Sequence, residues 1–517
     1  MRRKGSITVF AALAIMLVAQ MLFTLLEAAR YCEIQKTLQM NTDTVLESAF
    51  ADYCSPLWEM YHVLGMCVDN AQGEFSLNQR EAQMRNLTAK QLAGREESNL
   101  SLLSGYSLLN AEMTDVTFEP YRLITDQDGT VFWYAVSSYM KQNLAYEMVK
   151  SVYNDYETVK SVKDSCGNTK DDIDDAMDAL KHPEKYETQQ QTTKLKGASI
   201  TQKSEKSLLQ NHSSKISEGE NPLEAASEAK KEGVLSLVLE KSAKVSTKKI
   251  LRETTVSRRT LETGTMETVA RGDWYQKVLL NQYLVNYLGM YTKGNDERAL
   301  QYEVEYLLGG KEKDADNLKI VAAELLAMRE VLNMAAIKAS PEKEAEASAL
   351  ALTLAGASAN PLVIEAVKYG IIASWAFAES VLDVRTLLSG GKISIEKSDV
   401  DWTSNVHMLP ELLSGWTVAK DCPQGLDYAQ YLSILLLFKS GNTLSMRAMD
   451  VQEASVRLQD GYENFQMDHV VCETKLTATY EFRPVFLGFV TLIDKGIDRF
   501  RIQNQTSYSY FRGKEET

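Results

Sequence analysis

The stretch Ile7-Thr8-Val9-Phe10-Ala11-Ala12-Leu13-Ala14-Ile15-Met16-Leu17-Val18-Ala19-Gln20-Met21-Leu22-Phe23-Thr24-Leu25-Leu26 decides how the rest of the chain is read. It carries no charge, and only Thr8, Gln20 and Thr24 break its apolar character. A helix needs roughly 20 such residues to cross the hydrocarbon core of a bilayer. Inside that core every backbone hydrogen bond must be made within the helix. Arg2, Arg3 and Lys4 precede the stretch, and charges resume at Glu27, Arg30, Glu33 and Lys36. The basic flank marks the end that stays inside. The expectation is a single-pass anchor in the cytoplasmic membrane, with the N-terminus inside and the bulk of the chain extracytoplasmic.

Three kinds of processing compete at this segment. A secretory signal would be cut after a small-x-small site, and the best candidate, Leu26-Glu27-Ala28, has a large residue at its outer position. A lipoprotein signal fails because Ala29-Arg30-Tyr31 before Cys32 is not a small apolar lipobox. A pilin-type leader, cut after a glycine that follows basic residues, is matched by Gly5-Ser6.

The remaining composition narrows the function classes. At 517 residues the chain can hold several domains, each with its own core. A net charge of -14 argues against nucleic acid as a partner and suits a soluble exterior. Six cysteines are too few for a disulfide scaffold at this length. Cys54 with Cys67 and Cys422 with Cys472 are the candidate pairs, and the sequence leaves their state open. No CxxC occurs and the five histidines are scattered, so no metal site is read. Ser389-Gly390-Gly391-Lys392-Ile393 lacks the glycine spacing and the hydroxyl residue of a phosphate loop. With no nucleophile, acid–base or cofactor motif in a suitable context, neither catalysis nor a cofactor is expected.

Periodicity predicts an α+β fold, mostly helical: a long N-terminal transmembrane helix continuing into an extracytoplasmic helical bundle with a small antiparallel sheet. Ile34, Leu38, Val45 and Ala49 carry the first helix to about Phe50, and Ser55-Pro56 breaks it. Val116, Phe118, Tyr121 and Leu123 read as a strand pair with Asp126-Gln127-Asp128-Gly129 as a hairpin turn. That acidic turn lacks the later ligands of a calcium loop. Residues from about 164 to 265 read as a polar flexible linker or insertion, relieved by a helix start at Asn221-Pro222. Lys248-Lys249 and Arg258-Arg259 are read there as solvated loop. Leu318, Val321, Leu325, Met328 and Leu332 mark one face of an amphipathic helix. A helix opened by Asn360-Pro361 is uncharged only from Tyr369 to Ala378, too short to cross a bilayer, so Trp375 and Phe377 are read as core. From Cys472, Leu476, Ala478, Tyr480 and Phe482 alternate with polar residues as a strand, and Phe500 to Tyr510 gives another. The expected divisions are 1–30 for the inner tip and anchor, 31–163 for a helix-and-hairpin region, 164–265 for the linker, 266–420 for a helical domain, and 421–517 for a helix plus strands.

Arg3-Lys4-Gly5-Ser6-Ile7-Thr8-Val9-Phe10, with the apolar span closing on Leu26-Glu27-Ala28-Ala29-Arg30, resembles the start of TadE/TadG-like pseudopilins of the Flp (Tad) pilus system. More of the chain resembles an uncharacterised family of single-anchor envelope proteins of Gram-positive anaerobes. That likeness rests on Leu57-Trp58-Glu59-Met60-Tyr61, Asn221-Pro222-Leu223, Leu350 to Pro361, Trp375-Ala376-Phe377-Ala378-Glu379-Ser380, Asp383-Val384-Arg385 and Gly425-Leu426-Asp427-Tyr428. The resemblance implies a structural part in a pilus or secretion machine, partnered by pilus or secretion proteins and by the bilayer. One departure matters. Many pilins carry a glutamate near the fifth position after the cut, where this chain has Val9 and Phe10. The resemblance therefore implies a minor or membrane-retained component. The alternative is a signal-anchored surface protein that binds wall polymer or peptide.

Overall fold

A computed structural model describes residues 4–69, 73–98, 109–165, 169–183, 185, 221–270, 272–487 and 499–511. Helix α1, Lys4–Ala51, runs for 48 residues. Its apolar part is exposed to its surroundings, with Ile7 68% and Phe10 73% accessible. From Glu27 onward the burial becomes periodic: Glu27, Arg30, Ile34, Leu38, Asn41, Val45, Ala49 and Phe50 all turn inward. From Glu27 to Ala49 the steps are three and four, which keeps these residues on one face of a helix, with Phe50 at its edge. The first helix thus reaches the expected end near Phe50. After the break, Pro56 opens the short helix α2, Ser55–Tyr61, where its missing N–H costs nothing.

The chain forms two compact units. The first combines Met1–Tyr139, Arg259–Arg271 and Val456–Thr517. Around α1 and α2 it places the strand β1, Met66–Cys67, helix α3, Asn78–Ser98, strand β2, Ala111–Leu123, and helix α4, Asp126–Asn143. The late strands β3, Val470–Phe482, and β4, Phe500–Ser509, complete it. The sheet is antiparallel, with β3 in the middle. β2 lies on one side, with Val116 opposite Ala478. β4 lies on the other, with Tyr480 opposite Ile502, and β1 pairs with the start of β3 through Cys67 and Val470.

The alternation read from Cys472 onward decides which face meets α1. Leu476 packs with Val45, Leu46, Phe50, Val116 and Phe118. Ala478, Tyr480 and Phe482 pack with Ile34, Leu38 and Ile502. Tyr480 shares a 2.9 Å hydrogen bond with Thr42 of α1. Tyr508 and Tyr510 both stack on Phe50, at 4.6 and 5.0 Å between ring centres.

One expectation is corrected here. The residues from 111 to 123 form a single strand, not a hairpin, and Asp126-Gln127-Asp128-Gly129 does not connect two strands. Gln127, Asp128 and Gly129 take left-handed backbone angles and lead into α4. Asp126 fixes that turn by accepting the N–H groups of Leu123, at 2.8 Å, and Gly264, at 2.9 Å. The true partner of β2 is β3, some 360 residues away in sequence.

The second unit combines Met140–Arg258 and Gly272–Ser455. Its helices are α5, Tyr146–Ser165, α6, Thr169–Lys181, α7, Pro222–Lys231, α8, Val234–Val238, and α9, Trp274–Tyr287. They continue with α10, Glu303–Gly309, α11, Asp314–Ala339, α12, Pro341–Ala355, and α13, Pro361–Leu388. The last are α14, Leu409–Ser414, α15, Tyr428–Leu437, and α16, Gly441–Val456. The helix starts read at Asn221 and Asn360 are capped as expected, and the structure adds a cap at Asp427. Asn221 and Asn360 accept the N–H of Leu223 and Leu362, and Asp427 with Gln430 forms a reciprocal capping box.

Helix α13 is the centre of this unit. Every residue from Gly370 to Leu388 is buried, Trp375 and Phe377 among them. Composition alone would allow this helix to cross a membrane, but neighbouring helices cover it. The polar stretch expected as linker also contributes: α6 lies within it and buries Ile173, Ala176 and Ala179. These three positions share one helix face, which pays the ordering entropy that the flanking polar residues cannot. Residues 186–220 of the expected linker lie outside the described residues.

Candidate functional site

The second unit holds a buried cluster of four charges. Arg329 and Asn333 are one turn apart on α11, and Glu379 and Asp383 are one turn apart on α13. Each pair therefore projects from one face of its helix. Arg329 is fully buried, and its Nε donates to Asp383 at 2.9 Å. Its other nitrogens reach the carbonyls of Ser394 and Ile395, the hydroxyl of Tyr431 and the amide oxygen of Asn333. Lys397 donates to Asp383 at 2.6 Å and also to Glu379. Glu379 accepts in addition the backbone N–H groups of Thr403 and Ser404.

Two cations face two anions, so the cluster is electrically balanced. Burial opposes the charge on Asp383, but Arg329 and Lys397 hold its carboxyl below the usual carboxylate range. Burial pushes the Tyr431 hydroxyl up to about 12. The donors and acceptors saturate one another. The arrangement clamps α11, α13 and the 393–404 segment together, and offers no uncommitted base or nucleophile.

A pocket of about 680 Å³ opens beside this cluster. Leu332, Ala335, Ala336 and Ile395 give it an apolar floor. Glu342, Glu396 and Asp399 give it an acidic rim, with Lys343 paired to Asp399. Lys397 lines it too, but its ammonium faces inward to Glu379 and Asp383. Such a pocket suits a ligand with an apolar body and a cationic group.

The residues singled out from sequence are dispersed. Gly5 and Ser6 fall in the first turn of α1, and Ile7 to Leu26 form its exposed apolar part. The five described cysteines, Cys32, Cys54, Cys67, Cys422 and Cys472, stand as thiols. Cys54 and Cys67 are neighbours: a hydrogen bond between the two thiols lowers the pKa of Cys54 and raises that of Cys67. Cys422 points to the carbonyl of Lys420 and Cys472 to that of Arg122, and the two belong to different units. Among the described residues no group of three or more His, Cys, Asp or Glu side chains is arranged to hold a metal.

Arg329, Asn333 and Lys397 were not anticipated. Their signal was two polar residues at i and i+4 beside the apolar stripe of α11, a pattern that a moderately amphipathic helix hides. Glu379 and Asp383 entered only as part of a family likeness.

No curated protein and no solved structure matches the chain. Residues 212–482 match a family described as a family of unknown function (DUF5702). The match takes in α7 through β3, and with them the whole charge cluster and every residue lining its pocket except Val162. As it spans just over half of the 517 residues, the chain belongs to this family, DUF5702.

Proposed function

We propose that the protein is a membrane-anchored, extracytoplasmic structural component that resembles a TadE/TadG-like minor pseudopilin of a Flp (Tad)-type pilus or secretion system. The observation that carries this reading is α1. One helix joins an exposed apolar stretch of bilayer length to an amphipathic stretch seated on an antiparallel sheet. A subunit that must present its apolar helix to lipid or to other subunits, while holding a folded exterior at a fixed distance, needs that continuity. Val9 and Phe10 leave the early part of the span without a carboxylate, which supports a minor or membrane-retained role over a major filament subunit.

The mass of the N-terminal peptide, taken from protein purified out of its native membranes, tests the proposal. A chain that begins at Ser6 is the expected result. A chain that begins at Met1 would sink the filament-incorporated role and move the second reading ahead. That second reading is a tethered surface protein that binds peptide or wall polymer, and the pocket between the end of α11 and the 395–399 segment favours it.

A further inference from the structure

The boundary of the membrane span is tied to a distant part of the chain. Glu27 directly follows the apolar stretch, yet it is only 4% exposed. Its Oε1 takes a 2.6 Å hydrogen bond from Arg30. Its Oε2 takes three backbone N–H groups, from Val485 at 3.0 Å, Phe486 at 2.7 Å and Leu487 at 3.2 Å. Arg30 also donates to the carbonyl of Leu109, at 3.1 Å, and lies over the ring of Phe482. A carboxylate beside hydrocarbon must be fully satisfied, and these partners satisfy it.

Depth along α1 then places those partners. Twenty residues of helix rise about 30 Å, the thickness of the hydrocarbon core. The headgroup layer beyond it is about 5–7 Å deep. From Glu27 to Tyr31 the helix rises about 6 Å. Any backbone bonded to Glu27 therefore lies at headgroup depth.

The side chains there suit that layer. Val485, Phe486 and Leu487 are half-exposed. No charged residue occurs from Pro484 to Leu487. Tyr31, 37% exposed, stands one turn above Glu27 and packs on Phe482 and Phe500. Arg483, Arg499 and Arg501 are exposed beside it, at the end of β3 and the start of β4. Apolar tips, an aromatic ring and guanidinium groups are the side chains that lipid headgroups accept.

We infer that this end of the sheet is a second membrane contact. Val485, Phe486 and Leu487 enter the interface, and Arg483 and Arg501 bind lipid phosphates. The inference rests on reading Ile7–Leu26 as the bilayer crossing. The contact would fix the tilt and rotation of the first unit against the lipid surface, which a lone helix leaves free.

The test places the photoreactive residue p-benzoylphenylalanine, one position at a time, at Phe486, Leu22 and Tyr53 of the full chain. Each protein is reconstituted in vesicles of phosphatidylcholine and phosphatidylglycerol. Tyr53 lies past the end of α1, about 40 Å of helix rise beyond residue 26. Lipid adducts are expected at 486 and 22 and not at 53. An adduct at 22 without one at 486 overturns the second contact and leaves the crossing intact. No adduct at 22 overturns the crossing, and the inference falls with it. Replacing Arg483→Glu together with Arg501→Glu should reduce the yield at 486 several-fold and leave that at 22 unchanged. An unchanged yield at 486 removes the phosphate contacts.

Discussion

Glu305 on α10 is a carboxyl group with one well-served oxygen and one orphan. Its Oε1 accepts the N–H of Tyr291 at 2.8 Å and the hydroxyl of Tyr428 at 2.7 Å, whereas its buried Oε2 has no hydrogen-bond partner among the described residues. Burial pushes its pKa from 4.5 up to about 7. The folded state then binds a proton more tightly than the unfolded state. Stability is therefore greatest below about pH 4.5, declines as pH rises, and has lost this contribution above about pH 7. At about 1.4 kcal/mol per pH unit the full difference is about 3 kcal/mol. Glu305→Gln keeps an acceptor for Tyr291 and removes the titration. Denaturant unfolding of the detergent-solubilised chain, followed by tryptophan fluorescence, should show the variant gaining on the native protein from pH 5 to pH 8. Parallel pH profiles would refute this account. Asp383 acts in the opposite sense, because Arg329 and Lys397 hold its pKa down. Its contribution is present above the ordinary aspartate value and is lost as pH falls. Neither behaviour can be read from a carboxylate in a sequence, because the surroundings supplied by distant segments set the sign.

Helix α13 depends on a close approach as much as on its apolar side chains. A Cβ on Gly370 would press into Ala176 of α6 and come within 2.9 Å of Leu223 of α7. Gly356, at the end of α12, has right-handed angles of -62° and -28° and nothing within 4 Å of such a Cβ. Gly370→Ala should therefore cost about 1–3 kcal/mol by overpacking. Gly356→Ala should gain about 0.4–1 kcal/mol by restricting the unfolded chain. Equal effects of the two substitutions in urea unfolding would mean that α6 does not seat on α13. Several helices were legible because a cap and apolar residues coincide, as at Asn221-Pro222 and Asn360-Pro361. α6 was not, because Ile173, Ala176 and Ala179 sit among aspartates and lysines that dilute the stripe. The charge cluster was not legible either. Arg329 lies 54 residues from Asp383, and only the packing of two helices brings them together. β3 and β4 declared themselves by alternation, but β2 did not show its partner, since local patterning says nothing about a strand some 360 residues away.

At the scale of the whole chain the question is how many times it crosses the bilayer. Among the described residues, length and composition admit two helices, Ile7–Ala51 and Pro361–Leu388. They differ in what surrounds them: the apolar window of the first is unburied, and that of the second is 61% buried within its own unit. In α13 the buried residues include Glu379, Asp383 and Arg385, each bonded to protein groups. Moving those charges into lipid would cost several kcal/mol and break the cluster. The second helix therefore belongs to a folded unit, and among the described residues Ile7–Leu26 is the span consistent with a membrane anchor. On the proposed orientation, with Ile7–Leu26 as the crossing, both units lie outside. Protease added to intact spheroplasts should digest the sequences of both units and spare a peptide that ends close to Glu27. A second protected fragment covering Pro361–Leu388 would mean that α13 crosses, and that the units are divided by the membrane. Full protection of the chain, with digestion only after lysis, would mean that the orientation is reversed and the extracytoplasmic role is wrong. The same digest, done with trypsin, reads the proposed lipid contact at the sheet's end: cleavage after Arg501 should be slow while lipid covers it, and should quicken once detergent removes it.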